Sequence, residues 1–315
     1  MKRKIVSVIE KPDSGQRLDS WLGNRFTYHS RNKWQGLIRD GEVTVNDILT
    51  KPSKTIYAGD VVELKTNELK EPDANTNIQI IYEDDYIIVI NKPADLPCHP
   101  SGAYFHKTLW YLVTTHLKSK VHIVHRLDRE TSGVVIMAKT PAIAKEIAYL
   151  FANKKVKKTY IAAVHGSFPD NLHAFGYLEK DKESQLMKKR RFIRVEEKDY
   201  PSLTDKETAE TYFEIICEKN GLSLLKVFPK TGRFHQIRAT LYSMGFPMVG
   251  DKTYGLDETL FLRFITDGLT ESDYKTMILD RQALHAKSIE FTLASTGKKY
   301  KLETEIPTEI TDLFK

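Results

Sequence analysis

Only two of the 315 residues are cysteine, Cys98 and Cys217. Two thiols are too few for a disulfide framework or a cysteine-built zinc site. The expected compartment is therefore the reducing cytoplasm. No apolar run reaches the ~18 residues of a membrane helix. The basic stretch 1–15 has no continuous apolar segment of signal-peptide length, so no membrane is expected as a partner. The phosphate-cradling patterns GxxxxGK[ST] and strand-associated GxGxxG are absent. HExxH, zinc-type Cys/His spacing and a GxSxG elbow are absent as well. Five of the ten histidines, His99, His106, His116, His122 and His125, fall within 27 residues. Their spacings match no ligand pattern, and no acidic cluster completes one. Neither a metal nor a cofactor is expected.

The composition is that of a globular protein, with 41% hydrophobic and 29% charged residues. The length suggests two domains. The net charge of +6 is unevenly spread: residues 139–194 carry 13 basic and 5 acidic groups, and residues 1–70 carry 13 and 9. A localised basic field of this kind suits a polyanion such as nucleic acid.

The chain opens with a small α/β module. Leu18, Leu22 and Phe26 recur at helical spacing, and Ser30 is placed as the N-cap of a second helix carrying Trp34, Leu37 and Ile38. Gly41 closes that helix. Val43 and Val45 alternate as a strand before an Asn46-Asp47 turn, and Gly59-Asp60 turns into a further strand. The module is set at residues 13–66, a polar linker at 67–78, and a larger domain at 79–315. Strands are expected at 78–81, 86–90, 134–138, 160–164, 211–217, 222–227 and 288–293, and helices at 109–117, 141–151 and 234–244. The strands outnumber the helices and are irregularly interleaved. That pattern reads as α+β, and it lacks the regular βαβ alternation of a doubly wound fold.

The segment 123–139, IVHRLDRETSGVVIMAK, presents His125, Arg126 and Asp128 in a polar turn ahead of an apolar strand. Arg126 and Arg129 neighbour Asp128 in sequence, and cations favour an ionised carboxylate. An ionised Asp held by cations suits a nucleophile or a general base. An isolated Arg-x-Asp is more commonly a surface ion pair, so the surrounding pattern decides.

That pattern, HRLDxxTSG with its apolar strand and Ala138-Lys139, resembles the first motif of the RluA/RluD-type RNA pseudouridine synthases. Lys157-Lys158-Thr159-Tyr160-Ile161-Ala162, ending at Gly166, resembles the second. Thr231-Gly232-Arg233-Phe234-His235-Gln236-Ile237-Arg238, continuing to Gly250-Asp251, resembles the third. Asn91-Lys92-Pro93 with His99-Pro100, and Arg281-Gln282-Ala283-Leu284-His285-Ala286, also look like family segments. The resemblance covers residues 79–315 and implies a mixed, mainly antiparallel sheet with flanking helices. It implies isomerisation of uridine to pseudouridine, with no redox change. Asp128 would be the catalytic carboxylate, and whether it stabilises charge at C1′, attacks it or removes a ribose proton stays open. Tyr160 would stack on the flipped uracil, Arg238 would pair with Asp128, and Arg126 would fill the gap or hold a phosphate. Leu284 would back the base pocket, and His125, Arg233 and His235 join the substrate-binding set.

The first module resembles the S4 (αL-type) RNA-binding domain through Arg17-Leu18-Asp19, Ser30-Arg31, Gln35, Leu37-Ile38, Gly41, Val43-x-Val45-Asn46, Lys51 and Gly59-Asp60. The resemblance implies RNA contacts from Arg17, Arg31 and Lys33. An S4 domain ahead of the catalytic domain is a common arrangement in the family, and it makes large-subunit ribosomal RNA the expected partner. No obligate protein partner is evident, and a monomer is expected. A transfer-RNA uridine is the alternative target, and a non-catalytic RNA-binding or ribosome-assembly factor is the alternative class.

Overall fold

Apolar residues at helical spacing and short alternating runs build the first part of the chain. The computed structural model describes residues 3–26, 31–66, 71–101, 104–196, 206–266 and 268–315. Contacts divide the chain into two units: Met1–Ala74 with His99–Leu112, and Asn75–Cys98 with Val113–Lys315. In the first unit, α1 (Leu18–Arg25) and α2 (Arg31–Arg39) accompany strands β1 (Arg3–Val8), β2 (Val43–Val45), β3 (Ile48–Leu49) and β4 (Val61–Thr66), which form a sheet in the order β1-β4-β2-β3. Leu18, Leu22, Trp34 and Ile38 are buried with Val43, Val45 and Leu64 in one core. Asn46 and Asp47 both have positive φ, as a two-residue hairpin turn requires.

The expected N-cap Ser30 lies outside the described residues. Two boundaries differ from the sequence reading. The unit begins before residue 13, because β1 pairs with β4 from Arg3↔Thr66 to Val8↔Val61. It also takes in residues 99–112, which the sequence had assigned to the larger domain. There the Glu71 carboxylate accepts the backbone N–H groups of His106 and Lys107 at 2.9 and 2.8 Å.

The second unit holds β5 (Gln79–Glu83), β6 (Ile87–Lys92), β7 (His122–Ile123), β8 (Ser132–Ala138), β9 (Lys157–His165), β10 (Asn171–Lys180), β11 (Arg190–Arg194), β12 (Glu207–Lys219), β13 (Leu222–Pro229), β14 (Leu284–Thr292) and β15 (Lys299–Glu303). Among the described residues these form an 11-stranded sheet, in the order β11-β10-β12-β13-β9-β14-β8-β6-β5, with β15 on β14 and β7 on β8. The β8–β14 pair is parallel and the other named pairs are antiparallel. The fold is thus α+β on a mixed, mainly antiparallel sheet, as the sequence indicated.

The remaining helices are α3 (Leu109–Leu117), α4 (Pro141–Ala152), α5 (Gln236–Ser243), α6 (Thr259–Thr266), α7 (Glu271–Met277) and α8 (Thr308–Thr311). Thr140 caps α4 by accepting the Ile143 N–H, and Ile143 and Ile147 pack on Ile87, Val134 and Ile136. On the other half of the sheet, α5 buries Ile237, Ala239 and Leu241 against Ala162, Phe213, Leu225 and Val227.

Strands β10, β11 and β15 and helices α6 and α7 were not anticipated. In β10 apolar residues fall on both parities (Leu172, Ala174, Phe175, Leu178), so no clean alternation marks it. The helix expected from Phe234 starts at Gln236, because His235 takes a left-handed conformation (φ 57°) ahead of it.

Candidate active site

The loop from β7 to β8 carries Asp128, and its backbone is tied down on both sides. The Leu127 N–H and C=O lie 3.3 and 3.4 Å from the Cys98 thiol. The Arg129 carbonyl accepts from the Leu96 N–H at 3.1 Å and from Lys92 Nζ at 3.0 Å. Lys92 is fully buried and also donates to the Pro93 and Leu96 carbonyls. Burial pushes its ammonium down to about 8, and the three carbonyls satisfy the donors of a group that water cannot reach. Gly133 (φ 116°) is the second residue of β8, directly behind the loop. A Cβ there would strike the Ala286 backbone of β14, so only glycine permits this parallel pairing.

Arg238, in the first turn of α5, points at this loop. Its Nη1 donates to Asp128 Oδ2 at 2.8 Å, while Nε and Nη2 form a fork on Asp251 at 2.6 and 2.9 Å. The Asp251 side chain is fully buried, and its Oδ1 also accepts the Thr253 and Tyr254 N–H groups. Gly250 (φ 71°) makes the turn that delivers Asp251, in a space where a Cβ would collide with the Arg281 carbonyl. One guanidinium therefore lies between two carboxylates. Burial would raise both carboxyl pKa values, but the Arg238 charge outweighs it and holds each below the ordinary range. Arg238 is itself raised: burial opposes its charge, and the attraction of Asp251 and Asp128 overcomes this.

The second carboxylate lies closer to Arg238 in sequence than Asp128 does, yet spacing alone gave Asp251 no role. Of the cations beside Asp128 in sequence, Arg129 pairs with Asp95 and Glu130, each at 3.2 Å. The partner comes from 110 residues further on.

Asp128 keeps 24% of its side chain exposed, at the floor of an open cleft of about 520 Å³. The wall of the cleft includes Arg126, Lys158, Tyr160, Arg233, His235 and Leu284. Lys158 and Tyr160 alternate along β9 onto the cleft side. Leu284, opening β14, joins the core cluster behind them. The Tyr160 hydroxyl is raised by burial and by the Asp128 charge, so it stays protonated at neutral pH. Lys158 Nζ donates to the Thr231 carbonyl at 2.9 Å, and burial lowers it to about 8. His235 Nδ1 lies 3.1 Å from the Tyr254 hydroxyl, and its Nε2 is 3.9 Å from Asp128. Burial and then Arg238 lower the imidazole to about 4, so it is neutral beside the carboxylate at pH 7. Arg126 is exposed at the edge, and Arg233 Nε donates to the Thr208 carbonyl at 3.1 Å.

His125 does not join this group. Its Nε2 accepts the Ile136 N–H at 3.0 Å and its ring lies against Phe151, 4.9 Å between centroids. Burial lowers it to about 3. The turn that exposes Arg126 sends the preceding side chain inward, because adjacent residues face opposite ways in extended chain. Within the basic stretch 139–194, two cations of the tract 188–191 are engaged with acids. Lys189 is buried against Glu258 at 2.6 Å, and Arg190 pairs with Glu207. Phe192 is buried in the core. Arg17, Arg31 and Lys33 belong to the first unit.

Among the described residues no group of three or more His, Cys, Asp or Glu side chains could hold a metal ion, and no helix is long and apolar enough to cross a membrane.

Residues 86–243 match the family described as RNA pseudouridylate synthase. A ribosomal large subunit pseudouridine synthase C of Buchnera aphidicola subsp. Schizaphis graminum is 32% identical, over 95% of this chain and 94% of the relative. A ribosomal large subunit pseudouridine synthase D of Vibrio cholerae is 29% identical, over 98% and 94%. Among solved structures, human RNA pseudouridylate synthase domain containing 1 superposes with a TM-score of 0.57 at 20% identity, covering 75% of this chain and 86% of the human one. A motif match over half the chain, a relative aligned nearly end to end and a shared fold agree: this chain belongs to the RNA pseudouridylate synthase family.

Proposed function

We propose that Asp128 is the carboxylate on which uridine isomerisation turns, and that the target lies in large-subunit ribosomal RNA. The observation that carries the first part is the Asp128–Arg238–Asp251 bridge, with one carboxylate oxygen held by Arg238 at the floor of an open cleft. In the reaction the N1–C1′ bond breaks with its electron pair going to N1, C5 bonds to C1′, the C5 hydrogen leaves as a proton, and N1 takes up a proton, so the formula is unchanged. Positive charge builds at C1′ as in glycoside cleavage. A carboxylate kept ionised in a partly dry site stabilises that charge strongly, because little water screens it.

The uracil must leave its stack before C5 and C1′ are reachable. Tyr160 supplies a ring for it to stack against, a contact of about 1–3 kcal/mol. With its hydroxyl pKa raised, Tyr160 acts as a hydrogen-bond donor and not as a phenolate base. Leu284 backs the base, and Arg126, Lys158 and Arg233 receive the flanking phosphates.

The ribosomal target is supported by the activity for which the Buchnera and Vibrio relatives are named, and these align with nearly the whole chain. The first module acts as an S4-type RNA-binding domain, and the remainder is the catalytic domain. The protein works as a monomer in the cytoplasm, without a cofactor.

Tritium release from RNA labelled at uridine C5 tests the reading. Wild type should release tritium from ribosomal RNA and not from transfer RNA. Asp128→Asn should lose at least about 10⁴-fold in turnover, in the range of losing a catalytic group whose effect cooperates with the rest of the site. Its RNA affinity should stay within a few fold, since the shape is kept. Near-normal release by the variant would end the assignment of Asp128. Release from transfer RNA alone would move the target.

A further inference from the structure

In the first unit, the side chain of Asp19 is fully buried and both of its oxygens are claimed by cations. Arg17 donates through Nε and Nη2 at 3.1 and 3.0 Å, and Arg31 donates through the same two atoms at 3.1 and 3.3 Å. Gln35 adds a fifth hydrogen bond at 2.7 Å. Burial would raise the Asp19 carboxyl. The bonds from Arg17, Gln35 and Arg31 overcome that and hold it well below the carboxylate range, so its charge is permanent in the working range of pH.

The backbone around it is fixed too. The Leu18 and Asp19 N–H groups donate to the Lys54 and Pro52 carbonyls at 2.8 and 3.1 Å. Asp19 sits in the first turn of α1, where the helix dipole favours an anion, while Arg31 opens α2. Cross-linking the two helix starts needs one arginine. Two forks on one carboxylate leave a surplus positive charge, and the two arginine side chains keep 48% and 52% of their surface exposed.

We propose that Arg17 and Arg31 form a single phosphate clamp, and that Asp19 is its positioning residue. The ligand class is a backbone phosphate of structured RNA. A planar guanidinium fork matches phosphate geometry, but a free arginine loses much side-chain entropy on binding. Asp19 fixes both forks before RNA arrives. Two guanidiniums, one carboxylate and one phosphodiester sum to zero charge, so the closed site is electrically balanced. The proposal rests on the reading that this module binds RNA.

The charge of Asp19 makes the test sharp. Asp19→Asn removes a negative charge from a surface that meets a polyanion. If Asp19 acted through space only, the variant would bind RNA more tightly. If it positions the forks, the variant binds more weakly in spite of the favourable charge change. The measurement is fluorescence anisotropy of a ribosomal RNA fragment with the full-length protein across a salt series. It is paired with turnover on a short oligonucleotide that only the catalytic cleft can engage.

The expected result for Asp19→Asn is an affinity loss of about tenfold, the size of one charge-assisted hydrogen bond, with short-substrate turnover unchanged. The double variant Arg17→Ala, Arg31→Ala should lose more, and its salt slope should fall by about one to two, one for each phosphate contact removed. Equal or tighter binding by Asp19→Asn, with the double arginine variant weakened, overturns the positioning role and leaves the RNA reading intact. No change in either variant overturns both. Where Asp19→Asn melts the first module, Gln35→Leu carries the test, since it keeps every charge and removes only the fifth hydrogen bond. A loss of about twofold to fivefold supports the proposal, and an unchanged affinity overturns it.

Discussion

Each unit contains a carboxylate–guanidinium cluster, and the two are built with opposite signs. In the first, one acid, Asp19, sits between two arginines; in the second, one arginine, Arg238, sits between two acids, Asp128 and Asp251. The central group is almost completely buried in both, with Asp19 at 0% and Arg238 at 8% side-chain exposure. Surplus charge is carried by the outer groups that reach solvent: two half-exposed arginines in one case, and Asp128 at 24% in the other. The sign of the outer group fits a different task in each unit. In the proposed reading, exposed guanidiniums meet a phosphate, which is already charged in the ground state. The recessed carboxylate, as proposed, meets a ribose that becomes cationic only as the glycosidic bond breaks. On that reading one device serves affinity at one end of the chain and chemistry at the other.

Removing a centre is the harshest way to break this comparison. Arg238→Met should leave the buried Asp251 carboxylate facing the recessed Asp128 carboxylate, an unpaired-charge penalty of up to about 3–5 kcal/mol. Thermal unfolding of the second unit should move down by roughly 10 °C, with turnover below detection. Asp19→Asn removes the other centre, and because the arginines it leaves are half exposed, its effect on unfolding should be much smaller. Equal melting shifts for the two variants would mean that burial of the centre is not what separates the clusters.

Asp251→Asn is a milder probe, since it keeps shape and removes one charge. Turnover should fall about 10- to 100-fold, the usual loss for a partner that orients a reacting group, with KM within a few fold. Asp251 also raises the Asp128 carboxyl, so its removal should shift the acid limb of kcat to lower pH. An acid limb that moves upward would contradict the bridge.

The pH dependence sharpens the same contrast. Because the Asp128 and Asp251 carboxyls are both lowered in the fold, the stability they contribute is present above the ordinary carboxylate range. It is lost only as pH falls through their depressed values. Acid unfolding of wild type should therefore show a steep low-pH loss that Asp251→Asn flattens.

The smallest expected effect is on the alkaline side. Lys158 titrates at about 8, so KM should rise as pH passes that value and the ammonium loses its charge. Lys158→Met should start at the higher KM and show no such limb. An identical alkaline limb in that variant would remove Lys158 from the substrate contacts.

Much of the second site was legible before any geometry. Asp128, Tyr160, Arg238, Arg126 and Leu284 stand within segments whose residue order is distinctive, and the fold gathers them around one cleft. His125 shows the limit of that legibility. It stands beside Arg126 in the same segment, yet a single peptide step separates a side chain at the cleft edge from one bonded to the Ile136 N–H. Lysines 188 and 189 look equivalent in the sequence, but Lys189 is buried on Glu258 whereas Lys188 is exposed. Strand β10 escaped for a related reason. It packs on both faces, and a strand with apolar residues on both parities loses the period of two that reveals a half-buried one.

The class of chemistry and the α+β character follow from the sequence alone, because residue types and their local order carry those. Only the tertiary structure decided which charges meet. Asp128 is held by a cation 110 residues away, and Asp251 and Asp19 become the fixed points of their clusters through burial. The physical reason is that a Coulomb interaction depends on separation in space and on the surrounding dielectric. Chain packing sets both quantities, and the linear order of residues does not contain them.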